Sequence, residues 1–93
     1  MAAKKKRMAE YAEKIKQAVE ILQVVSLDTT TPRNIRRAAK ESIDELLSEK
    51  LTLAARATNA MEILDEISQD PNMPIYTRTR IWQAISYLEG IKD

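Results

Sequence analysis

A chain of 93 residues, 44% apolar and 31% charged, has room for one small globular domain. It contains no cysteine and no histidine, which excludes disulfides, thiolate chemistry, the usual zinc sites and the usual general base near neutral pH. Formal net charge is +1, and no apolar run approaches 18 residues, so neither a strongly basic nucleic-acid-binding core nor a membrane-spanning helix is expected.

The first seven residues carry Lys4, Lys5, Lys6 and Arg7, while the rest holds 11 basic against 14 acidic side chains. Residues 1–7 therefore read as a disordered basic arm on a slightly acidic four-helix domain spanning 8–93. No apolar segment of the secretory kind follows the basic cluster, and the expected location is the cytoplasm. Four adjacent charges attract RNA or DNA without sequence choice, but only weakly. The alternative is a solubilising terminus.

The spacing of Tyr11, Ile15, Ala18, Val19, Leu22 and Val25 predicts a first helix over about Met8–Ser26. Ile21 and Val24 widen its apolar face. A turn follows. Thr31 is the expected N-cap, Pro32 the first helical residue, and Asp28 an acceptor for exposed N–H groups. The second helix is expected over about Pro32–Ser48. Ile35, Ala39, Ile43, Leu46 and Leu47 face inward, with Ala38 and Ser42 near the seam. A short link at Ser48–Leu51 makes the next helix antiparallel.

The third helix is expected over about Thr52–Gln69, with Leu53, Ala54, Ala57, Ala60, Met61, Leu64 and Ile67 on its apolar face. Its alanines permit close backbone approach. Asp70, Pro71, Asn72 and Met73 form a second turn, and Pro74 opens the fourth helix. Met73 is a poor cap, which leaves Asn72 or Asp70 for that role. Ile75, Ile81, Trp82, Ile85, Leu88 and Ile91 are the apolar residues of the last helix, which frays at Gly90.

Sliding the sequence against itself by 42 positions gives 10 identities over 29 gapless pairs, from Ala18/Ala60 to Leu46/Leu88. Asp28 meets Asp70, Pro32 meets Pro74 and Arg36 meets Arg78. This offset lies in the range of two-helix repeats of the HEAT kind. The competing account is shared amphipathic patterning. Two units are too few for a solenoid. The expected fold is all-α: a four-helix up-and-down bundle built from two similar helical hairpins.

No catalytic set emerges. Without histidine a di-iron carboxylate site cannot be assembled, and the carboxylates at Glu41, Asp44, Glu45, Glu62, Asp65 and Glu66 read as solvated helix faces. The serines lack an imidazole, and no glycine-rich loop could cradle phosphate. Catalytic, metal and cofactor residues are therefore set at none.

Binding is the remaining class. Arg33, Arg36, Arg37 and Lys40 recur at i, i+3, i+4 and i+7 along one side of the second helix, and Arg78 and Arg80 lie on the opening turns of the fourth. They either brace their own turns or form a surface for an acidic partner or phosphate. Trp82 aligns with Lys40 in the repeat and is expected at the core's edge, as a lid or a contact. Tyr76 and Tyr87 align with Asn34 and Glu45 and are expected outside. The candidate surface thus comprises Arg33, Arg36, Arg37, Lys40, Tyr76, Arg78, Arg80 and Trp82. Asp28, Thr31, Pro32, Asp70, Pro71 and Pro74 are the structural turn residues. A protein partner is the leading expectation, weak salt-sensitive RNA binding the alternative, and monomer against homodimer is left open.

The stretches DTTTPRNIRRAAKESI and ILDEISQDPNMPIYTRTRIW, in this order and spacing, resemble the small archaeal proteins of uncharacterised protein family 0147. The resemblance runs from about Ile15 to Ile91. It implies four bundled helices and an archaeal cytoplasm, and it brings no activity, substrate or cofactor. Its marks here are Asp28, Thr29, Thr30 and Pro32–Arg37, then Asp65–Ile67, Asp70–Pro74, Thr77, Arg78 and Trp82. The chain departs from its relatives at SLDTTT, where they have a more polar residue before the Asp and Val in place of Thr31. The KKKR arm is poorly shared, so a function resting on it would not be the family's.

Overall fold

Four helices account for most of the chain in the computed structural model, which describes residues 2–92: α1 (Ala2–Leu27), α2 (Arg33–Leu46), α3 (Leu53–Ile67) and α4 (Ile75–Leu88). They form an up-and-down bundle of two helical hairpins. α1 packs along α4 and α2, α2 carries α3, and α3 meets α4 over a shorter stretch. α1 has 26 residues against 14 or 15 in the others, and the molecule measures 46 × 22 × 20 Å. At 1.5 Å per residue, α1 is about 39 Å long and α2 and α4 about 21 Å, so α1 overhangs its neighbours.

Helix ends differ from expectation in ways that local chemistry explains. α1 starts at Ala2 rather than near Met8, and so takes in Lys4–Arg7, where alanine, lysine and arginine all favour helix. Pro32 (φ −54°, ψ 148°) and Pro74 (φ −60°, ψ 150°) occupy the N-cap positions instead of the first helical turn. Their ψ angles are extended, and their carbonyls accept the first helical bonds, from Arg36 N and Arg78 N. Thr31 is therefore not a cap, and neither Asn72 nor Asp70 caps α4. Thr52 does cap α3, its hydroxyl accepting from Ala55 N at 3.2 Å.

The core is apolar and continuous. Leu22 of α1, Ile35 and Leu46 of α2, Leu64 of α3, and Ile81 and Leu88 of α4 are all essentially inaccessible. Ala57 and Ala60 are fully buried, which lets α3 sit close on α2. Ser42 is buried at no cost in unmet polarity, since its hydroxyl donates back to Ala38 O at 2.9 Å. Three residues expected on apolar faces are open, among them Val24 of α1, 49% exposed on the side of the helix away from Leu22 and Val25. Leu47 is 57% exposed because α2 ends at Leu46, leaving it at the C-cap outside the helical period. Ile75 is 84% exposed: it stands on the first turn of α4, on the stripe leading to Trp82 rather than to Ile81.

The 42-residue repeat extends to individual hydrogen bonds. Asp28 N and Asp70 N donate to Val25 O and Ile67 O, and Thr31 N and Met73 N donate to the carbonyls of Asp28 and Asp70. The side chains of Asp28 and Asp70 each accept from the N–H two residues on, at 2.9 and 2.8 Å. Ser26 and Ser68 donate back to Gln23 O and Asp65 O. This is the same Asx turn built twice.

Truncating Leu22 to alanine should cost about 2–5 kcal/mol, while Leu47→Ala should stay within about 0.5 kcal/mol. Urea unfolding followed by far-UV circular dichroism measures both. Equal effects would contradict this placement of the core.

Candidate interaction surface

Up-down-up-down topology puts both Asx turns at the same end of the bundle, and they are wired together there. Thr30 Oγ1 donates to Asp28 Oδ1 at 2.6 Å and lies 2.7 Å from Tyr76 Oη. A carboxylate only accepts, so the single proton of Thr30 is committed, and Tyr76 must donate to Thr30. Thr31 Oγ1 likewise donates to Asp28 Oδ2 at 3.1 Å, and the buried Thr77 hydroxyl, 3.3 Å away, donates to Thr31. Two hydroxyl relays thus run from the first turn of α4 into one carboxylate. A third link joins α2 to the second turn, with Asn34 Nδ2 donating to Asp70 Oδ2 at 2.6 Å.

The Thr30 hydroxyl, followed by the Thr30 N–H and the Thr31 hydroxyl, holds the Asp28 carboxyl below its ordinary value. The positive charge of Arg80 adds to this, and partial desolvation works against it.

The expected basic surface is divided among several tasks. Arg78 is half-buried and donates to Ser68 O and, at 3.2 Å, to Asp70 O, so it braces the second turn. Arg36, its repeat counterpart, is also half-buried, yet its Nε finds no hydrogen-bond partner among the described residues. Lys40 pairs with Asp44 at 2.6 Å on the open surface of α2. Exposed Arg37 lies beside Glu41, Glu66 and Asp70 in a shallow depression between α2 and α3. Arg33 is exposed, and Arg80 stands over the Tyr76 ring, 5.7 Å from its centroid. The stripe along α2 is therefore one of mixed charge.

α4 presents a different outer face. Ile75 and Trp82 share one stripe, seven residues apart; Tyr76, Arg80 and Tyr87 share the adjoining one. Trp82 is 49% exposed, Tyr76 46% and Tyr87 39%. α4 contains Arg78 and Arg80 and no Asp or Glu. Pro32, Asp70 and Pro74 are half-buried at the turn end and Pro71 is exposed. Sequence reasoning did not find the roles of Thr30, Asn34 and Thr77. A signal existed for Thr77, a hydroxyl at the core register where the first copy has Ile35.

Among the described residues no group of three or more carboxylates is placed to hold a metal ion, and no helix is long and apolar enough to cross a membrane.

The fold and surfaces define a small all-α protein made of two like hairpins, with its polar chemistry spent on joining turns. The chain belongs to the Uncharacterised protein family UPF0147, whose pattern matches residues 2–91. It is 59% identical over 80 residues to the UPF0147 protein of Metallosphaera sedula, covering 86% of this chain and 90% of that one. The Sulfurisphaera tokodaii relative is 56% identical over the same coverage. Two crystal structures share the fold. One is the protein of unknown function MMP1188, at 48% identity, with 88% of this chain and 93% of that chain covered and a TM-score of 0.84. The other is a UPF0147 protein from Thermoplasma acidophilum, at 31% identity, 90% and 99% coverage and a TM-score of 0.84.

Two measurements check the wiring. The folded carboxyl of Asp28 titrates below its unfolded value of 3.8, so its contribution to stability is complete above that value and is lost as pH falls through the lower, folded one. Asp28→Asn should therefore flatten the pH dependence of stability below about pH 4, read by urea midpoints across pH 2–6. Arg78→Met should cost about 1–3 kcal/mol by stranding two turn carbonyls, and Arg36→Met should cost less. A reversed order in chemical unfolding would refute the bracing role of Arg78.

Proposed function

We propose that this protein is a non-enzymatic interaction module of the cytoplasm that binds a protein partner through the turn end, the outer face of α4 and the basic side of α2. One observation carries the reading: α4 exposes Ile75, Tyr76, Trp82 and Tyr87 on a helix with two arginines and no carboxylate. Aromatic residues and arginine are the side chains that interface cores favour. Tyr76 is already held by Thr30 and covered by Arg80, so little ordering remains for binding. The fitting partner surface is apolar and acidic. Arg33 and Arg37 extend the contact from α2, where Asp44 and Glu41 dilute the charge.

The test is affinity capture from archaeal extract with the wild-type chain and with Trp82→Ala as baits. A partner retained by the wild type should be lost at least about tenfold with Trp82→Ala, whose half-exposed position spares the fold. Retention that is abolished by ribonuclease, falls steeply with salt and ignores Trp82 would identify nucleic-acid binding instead.

A further inference from the structure

The opposite end of the bundle carries a second surface, independent of the α4 face. The core stripe of α1 runs Leu22, Ala18, Ile15 and continues at the same spacing to Tyr11 and Met8. Exposure rises along it: Ile15 is buried, Tyr11 half-buried and Met8 50% exposed. α4 ends at Leu88, and just past its end Gly90 lies beside the Lys14 side chain of α1. Beyond that point α1 and the start of α3 flank an open groove of about 710 Å³. Met8, Tyr11 and Leu53 give it an apolar lining.

Its charged lining residues are Lys4, Arg7, Arg56 and Lys92, and no described lining residue is Asp or Glu. Arg56 is held in place, its Nε donating to Leu51 O at 3.0 Å. The groove continues the seat that α4 occupies further along α1, with Lys92 at the junction. A helix is the element whose apolar stripe fills such a seat, and four cations require carboxylates beside that stripe. We propose that this groove docks an acidic amphipathic helix of a partner protein, laid against α1 and α3 in line with α4.

The probe is a labelled 16-residue helix-forming peptide with Leu at i, i+3, i+4 and i+7 spacing, flanked by Glu, titrated with the full chain by fluorescence anisotropy. It should bind, and a matched peptide with Lys for Glu should bind at least about tenfold more weakly. Met8→Glu and Arg7→Glu should each weaken the Glu peptide about tenfold or more, with unchanged helix content by circular dichroism, and Trp82→Ala should leave it unaffected. Equal binding of the two peptides, indifference to Met8→Glu, or no binding would overturn the proposal. So would sedimentation showing a dimer that Met8→Glu dissolves, which would give the groove to a second copy. Because Trp82 serves as the control, failure here is distinguishable from failure of the α4 reading.

Discussion

The carboxylate of Asp28 is the point on which the turn end depends. It receives the Thr30 N–H and two hydroxyl relays, from Tyr76 through Thr30 and from Thr77 through Thr31. α3 and α4 meet over only a short stretch, so the second hairpin is held to the first by α3 lying along α2, by α4 lying along α1, and at this junction. Apolar packing is non-directional and would tolerate a small slide of α4 along α1. A hydroxyl relay ending on a fixed carboxylate would not. The polar junction therefore supplies register, while the core supplies most of the driving force.

The same turn is used twice, and its two copies have diverged in their arginines and in the outer faces of the helices that follow. Both use an Asx turn, a proline at the N-cap and an arginine one turn further on. In the second copy the arginine bonds its own turn; in the first, its Nε has no partner among the described residues. The outer faces diverge further. Where α2 has Asn34, Lys40 and Glu45, α4 has Tyr76, Trp82 and Tyr87. One hairpin ends in a helix of mixed charge that is content in water, the other in an aromatic face without carboxylates. Asymmetry on a symmetric frame gives the bundle distinguishable sides.

The unequal lengths of the helices add a second departure from symmetry. α1 continues past the end of α4, and its core-facing stripe continues with it, so apolar positions that a helix covers at Ile15 lie open at Met8. The turn end is closed by hydrogen bonds between elements of the chain itself. The other end leaves a cation-rimmed groove between α1 and α3. The two ends thus differ in kind: one is closed by polar links, the other is open and lined by apolar and cationic side chains.

Periodicity alone determined four amphipathic helices, their antiparallel order, the duplicated Asp–Pro turns and most of the core from Ile15 to Leu88, because a 3.6-residue repeat of burial is written directly in residue order. Comparison of the two copies also placed Tyr76 and Tyr87 outside and Trp82 at the core's edge. What it did not contain were relations between residues far apart in the chain: the Thr30–Tyr76, Thr31–Thr77 and Asn34–Asp70 pairs, the separate fates of Arg36 and Arg78, and the groove beyond α4. Hydroxyls and guanidinium groups read as surface in any one helix. Only the meeting of two turns at one end gave them partners, and only the relative lengths of packed helices left Met8 open and Leu53 part-covered at the other.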